Sequence, residues 1–223
     1  MAKSNDVRIA ARRPPTKWGD REQRRADILD AARTRIAERG YLSLNMRDLA
    51  AGAGVSPATL YSYFATKEEL FATLYAEAIR AHTAAFRPVA EAGHDLDTLL
   101  RHMCEAHIDL YRTYGRHFTL WSAMRHDAAA DAGGVPKALL VELRAATVEH
   151  NRLQMEAIRA AAARGGRRVV DDRLVPSYLW STMNGLADHF TSERRVLDPF
   201  PAAALLEFAA ARLAVAITVP AGG

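Results

Sequence analysis

Between Met46 and Phe64 the chain reads MRDLAAGAGVSPATLYSYF. Ser56-Pro57 has the form of a helix start: a hydroxyl able to accept a backbone N–H, then a proline where no N–H is needed. Ser56 and the helix N-terminus behind it offer N–H groups to a phosphate. Thr59 and Tyr61 add hydroxyls that reach phosphate or base edges, and Pro57 and Ala58 are apolar enough to touch a thymine methyl. Arg47 supplies a guanidinium for a phosphate or a base. From Pro57 to Tyr63 there is no Arg or Lys, so bidentate readout is unavailable there and shape readout gains weight. This is recognition chemistry. No nucleophile elbow, phosphate loop, dinucleotide fingerprint or zinc-protease spacing occurs, so the chain is expected not to be an enzyme. A catalytic alternative would need His107 or His150 to act with a partner the sequence does not reveal. A second rival is an architectural protein that binds DNA without sequence preference.

Those residues need two short helices held at a fixed angle. Asn45 caps the first, Met46 to about Ala51, and Ser56 caps the second, to about Tyr63. Gly54 sits in the tight turn, where positive φ is required. Ala50 is small where the helices meet, and Leu49, Val55 and Leu60 make a miniature core. An earlier helix, Arg21 to Glu38, presents Ile28, Ala32 and Ile36 every fourth residue and ends at Gly40. This pattern is a helix-turn-helix, whose second helix enters the major groove. Thr66 and Glu69 form a capping box opening a fourth helix, which should run to about Phe86 and connect two halves of the molecule.

Residues 24–71 resemble the DNA-binding domain of the TetR family of regulators. The likeness is carried by Ile28-Leu29-Asp30-Ala31-Ala32, Gly40-Tyr41, Arg47-Asp48-Leu49-Ala50, Ala53-Gly54-Val55-Ser56, Thr59-Leu60-Tyr61, Tyr63-Phe64 and Lys67-Glu68-Glu69-Leu70. Asn45 stands where the family often has Thr, Pro57-Ala58 where Lys-Gly is frequent, and Tyr63 where His is common. The resemblance implies that Tyr63 and Lys67 contact the DNA backbone. It also implies a homodimer on double-stranded operator DNA, and a helical C-terminal half that binds a small molecule and dimerises. A ligand there would swing the connecting helix, so that the two recognition helices no longer match successive major grooves. The implied activity is a sequence-specific repressor released by a ligand. A ligand-independent regulator or an activator of the same family is the alternative.

The expected architecture is all-α with about nine helices. Residues 1–20 form a basic arm, 21–66 the helix-turn-helix domain, 67–219 the sensor and dimerisation domain, and 220–223 a tail. Pro88 and Gly93 should break the chain after the connecting helix. A helix through Leu96, Leu100 and Tyr114 should stop at Gly115, and a shorter one should carry Phe118. A long helix should end at Gly165-Gly166. The last two should span about Asp172 to Glu193 and Pro201 to Val219. On the long helix Leu143, Thr147, His150, Gln154 and Ile158 share one face; such mixed polarity suits the lining of a largely apolar ligand site. Met103, His107 and Tyr111 come from one preceding helix, Trp121 and Met124 from the other, and Trp180 and Asn184 from a later one. Plain core packing accounts for each of these residues equally well. The effector is expected to be largely hydrophobic. No cofactor is expected, and no His pair has a dedicated metal spacing.

For the dimer, Leu179, Met183, Leu186 and Phe190 form one stripe. The last helix, with Leu206, Leu213 and Ile217, is apolar around much of its circumference. The alternative is that these helices only close the sensor core.

The 223-residue chain has a net charge of +4, all of it carried by the first 70 residues; the remainder is neutral. Arg12 and Arg13 in the arm are candidates for minor-groove insertion, although a solvated tail carries such charge equally well. Cys104 is the single cysteine, expected to be a buried small hydrophobe in a reducing, cytoplasmic setting. The N-terminus has no apolar signal segment. Ala202 to Val219 carries Glu207 and Arg212 in its middle, which argues for a buried helix over a membrane span.

Overall fold

The computed structural model describes residues 21–115 and 134–222. Arg12, Arg13, Trp121 and Met124, and the short helix expected around Phe118, lie outside the described residues. Within them are eight α-helices: α1 (Arg21–Arg39), α2 (Met46–Gly52), α3 (Pro57–Tyr63), α4 (Lys67–Glu91), α5 (Leu96–Tyr114), α6 (Lys137–Arg164), α7 (Val175–Thr191) and α8 (Ala202–Ile217). The fold is all-α apart from one small ladder.

Local chemistry sets the early boundaries. The Asn45 side chain accepts the Arg47 N–H at 2.8 Å, and Ser56 Oγ accepts that of Thr59 at 3.0 Å. Thr66 Oγ1 accepts the Glu69 N–H at 3.0 Å, while the Glu69 carboxylate reaches back to the Ala65 N–H at 2.8 Å. That is the capping box displaced by one residue. Gly40 and Gly54 take φ of 73° and 69°, values at which a side chain is strained.

Two apolar cores result. In the first, Ile28, Leu29, Ala32 and Ile36 of α1 pack with Leu49, Ala50, Leu60, Phe64 and the first turns of α4. This core is not closed by α1–α4 alone: Tyr114 belongs to it, and Leu110, Leu143 and Ala146 pack on it. The second core is built from α5, α6, α7 and α8 with Phe86 of α4. The helix α4 therefore serves both. It runs beside α6 in the same sense, since Arg80 meets Glu142 at 2.5 Å and Arg87 meets Glu149 at 3.8 Å, seven residues further along each helix. Arg33 and Arg25 of α1 both hold Glu77, the former at close range and the latter at 3.7 Å, tying α1 to the middle of α4.

Several elements depart from the sequence reading. α4 passes through Pro88 and ends at Glu91 instead of Phe86. The missing proline N–H falls in the last turns, and Val89 and Ala90 are kept helical by packing on the second core. α7 starts at Val175 because Asp171 accepts N–H groups from Arg173 and Leu174, holding the residues before it in a turn. Two three-residue strands, Arg167–Val169 and Thr218–Pro220, pair antiparallel. Arg167 fixes this ladder through Thr218 Oγ1 at 2.6 Å and the Thr218 carbonyl at 2.9 Å. The stretch expected to be tail thus begins with a paired residue, Pro220. Strands this short leave no alternation to read.

The residues expected at the dimer interface divide between buried and partly buried. Leu179, Met183, Leu213 and Ile217 are buried within a single chain, packed in the second core. Leu186 and Leu206 lie partly buried against it, and Phe190 packs beside Ile108, Tyr111 and Ala187. Within one chain this stripe serves the core, as in the alternative that these helices close it. What α7 and α8 turn outward is Tyr178, Gly185, Phe208 and Val215.

Candidate functional site

Two sets of candidate side chains stand toward opposite ends of α4. The first is the outer face of α3. Leu60 is fully buried and anchors the helix, so its other side must face solvent. Ser56, Pro57, Ala58, Tyr61 and Ser62 are exposed, Tyr61 at 48%, and Thr59 is half-buried. Ser56 Oγ lies 2.8 Å from Thr59 Oγ1, and the Ser62 hydroxyl donates to the Thr59 carbonyl at 2.7 Å. Tyr61 is left as the large polar-tipped side chain standing off this surface. Arg47 is exposed near the start of α2.

Two other expected contacts are more constrained. Lys67 is half-buried, its ammonium 4.2 Å from the centre of the Tyr41 ring and 3.4 Å from the Leu42 carbonyl. Burial pulls its pKa below the usual lysine value, with Glu68 acting in the opposite direction. Tyr63 is half-buried beneath the guanidinium of Arg21, 5.8 Å from its ring. Arg25 stands 5.4 Å from the Phe64 ring. The sequence reading missed these α1 arginines. Their signal was the spacing Arg21-Arg25, one helical turn apart, pointing toward Tyr63-Phe64.

The second set lies between α4, α5, α6 and α7. His107 is 4% exposed, and its Nε2 lies 3.1 Å from Asn184 Oδ1. The Trp180 ring meets it edge-on at 5.3 Å. The Tyr111 hydroxyl donates to Asp188 at 3.3 Å. On α6, His150 Nδ1 lies 3.1 Å from Thr83 Oγ1, and its ring packs 4.8 Å from His82 and 6.3 Å from Phe86. Gln154, one turn on, is buried. Burial pushes His107 and His150 down to about 4, and His82 is lowered as well. Neighbouring imidazoles add to this: His82 disfavours charge on both of the others, and His107 on His150. The cluster is therefore neutral near pH 7.

Of the expected ligand residues, His107, His150, Asn184 and Trp180 converge here. Met103 is buried in the second core, and Tyr111 closes a small cluster with Ile108 and Ala187. The sequence reading missed His82 and Thr83. Ile79, His82, Thr83 and Phe86 repeat on α4 the mixed-polarity stripe that was recognised only on α6. Cys104 is buried, which raises its thiol to about 11. Among the described residues no group of three His, Cys, Asp or Glu could hold a metal ion.

The model of bacterial regulatory proteins of the tetR family matches residues 28–74. Over these residues, from α1 into α4, the chain is similar to the TetR family. The transcriptional repressor KstR2 of Mycobacterium tuberculosis is 42% identical over 52 residues, which is 23% of this chain and 26% of the repressor. The aligned part is thus about a quarter of that relative's length. Whole-chain likeness is seen in solved structures. A transcriptional regulator from Saccharomonospora viridis in complex with choline covers 89% of this chain and 99% of its own, with a TM-score of 0.65 and 16% identity. FadR from Bacillus subtilis in complex with stearoyl-CoA covers 86% and 98%, with a TM-score of 0.57 and 19% identity. At such identities it is the all-helical fold that is shared, across both halves of the chain. No helix among the described residues is long and apolar enough to cross a membrane.

Proposed function

We propose that this chain is a sequence-specific, DNA-binding transcription regulator: a repressor that leaves its operator when a small molecule occupies the second core. The carrying observation is the solvent-facing side of α3, presenting Pro57, Ala58 and Tyr61 from a helix anchored by fully buried Leu60. Arg47, Ser56, Thr59, Tyr63 and Lys67 flank it and hold phosphates. The first core is completed by Tyr114 of α5 and touched by Leu143 of α6. Movement in the sensor helices therefore changes the packing under the DNA-binding helices.

The regulator works as a homodimer through the outward faces of α7 and α8. Phe208 is 64% exposed and Val215 57%, and Tyr178 adds an aromatic ring. Such a surface favours burial against a second copy. The test is a titration of the purified protein against DNA from its own upstream region and against scrambled DNA at physiological salt. A preference of roughly a thousandfold, with at least two chains per site, is expected. Equal, salt-sensitive binding to both DNAs, repeated across a genome-wide selection of fragments, would refute sequence-specific regulation.

A further inference from the structure

We infer that the site between α4 and α6 takes an uncharged, hydroxyl-bearing apolar molecule, whose O–H donates to His150 Nε2 and whose oxygen accepts from the Gln154 amide. This rests on the reading of the second core as a sensor and adds the class of its effector.

The argument begins with Gln154. It is 8% exposed, and its amide has no hydrogen-bond partner among the described residues. A primary amide carries two N–H donors and a carbonyl, and burying it unpaired is costly where Leu or Met would fill the same volume. His150 precedes it by four residues, on the same face of α6. Counting protons fixes the imidazole. The Thr83 hydroxyl donates its one hydrogen to the Ile79 carbonyl at 2.8 Å, so in the bond with His150 it is the acceptor. His150 Nδ1 therefore carries the ring proton, and Nε2 presents a bare lone pair. One turn of helix thus offers an acceptor followed by an amide donor.

A hydroxyl satisfies both at once. A ketone or ester oxygen has no hydrogen for His150. A carboxylate would set its charge against the imidazole lone pair. The groups facing the site from the packed helices are His82 on α4, His107 on α5 and Asn184 on α7. The imidazoles are held neutral by burial, so no fixed cation among them offsets a buried anion. His107 follows the same pattern: its Nε2–H faces Asn184 Oδ1, leaving Nδ1 as a second acceptor.

The test is calorimetric binding to the full-length protein at neutral pH with two matched probe series: octanol, methyl hexyl ketone and octanoate, and naphthol, naphthalene and naphthoate. The hydroxyl member of at least one series is expected to bind about tenfold or more tightly than its counterparts. Gln154→Leu and Gln154→Met should erase that preference while leaving naphthalene binding and the circular dichroism spectrum unchanged. Tighter binding of octanoate or naphthoate would overturn the effector class and leave the sensor reading standing. Equal hydroxyl binding by both Gln154 variants and the parent would overturn it too, because the amide would then be only a tolerated burial. Absence of binding by every probe also rejects the assignment. The sensor reading itself falls separately, if a broad ligand screen fails to release the protein from its operator.

Discussion

The two cores of this molecule handle polar groups in opposite ways. Around α1–α3 most of the side chains that could do chemistry point outward, and the interior is built from Ile28, Leu49, Leu60 and Phe64 with the rings of Tyr41, Tyr75 and Tyr114 beside them. In the second core His107, Gln154 and Thr83 are buried among helices. The first arrangement is that of a rigid platform, in which most of the proposed recognition residues stand apart from the core, while Ser56 is also the cap of α3. In the second, stability and function are set against each other, since an interior amide or neutral imidazole costs free energy until something pairs with it.

The most direct way to break this contrast is to damage the dry core. Leu60→Ala removes a fully buried side chain and is expected to cost about 2–5 kcal/mol. Melting temperature and DNA binding should fall together, and retained DNA affinity at an unchanged melting temperature would contradict the platform reading. Acid should act on the other core instead. His107 and His150 titrate near 4 in the folded protein and near 6.5 when unfolded. Between those values the unfolded chain binds more protons, so stability is present above about pH 6.5 and is lost as pH falls toward 4, by at most about 3 kcal/mol for each imidazole. His107→Leu should flatten the pH dependence of unfolding measured in urea.

Smaller effects sharpen the comparison. Tyr61→Ala should weaken operator binding by roughly tenfold, on the order of 1–3 kcal/mol as for a base-edge or stacking contact, with no change in melting temperature. On the platform, then, function is removed without loss of stability. Ser56→Ala, which deletes the cap bonded to the Thr59 N–H at 3.0 Å, should cost about 1 kcal/mol in chemical denaturation. Gln154→Leu should have the opposite sign, stabilising the ligand-free protein by about 1 kcal/mol.

The same contrast explains what could be read in advance. Asn45, Gly54, Ser56-Pro57 and Thr66 act over three or four residues, so the ends of α2 and α3 and the start of α4 were legible from local chemistry. Tyr61 was legible because Leu60 beside it had to be inside. The second core depends on contacts distant in sequence. Nothing local pairs Thr83 with His150 or His107 with Asn184. The apolar stripe of α7 marks a packed face, but its period does not say whether the partner is α5 or a second chain. Arg167–Val169 was invisible because its partner strand lies some fifty residues away.

The connecting helix has a mechanical consequence. α4 contains 25 residues, about 37 Å of helix at 1.5 Å per residue. Glu77, held by Arg25 and Arg33, stands ten residues from its N-terminus, about 15 Å along the rod. A rod pivoting at Glu77 has a short arm under α3 and a longer arm, about 21 Å, reaching into the sensor. Under the proposed function, a shift of α4 at Thr83 or Phe86, about 9–14 Å beyond the pivot, carries to α3 as an opposite shift of similar size.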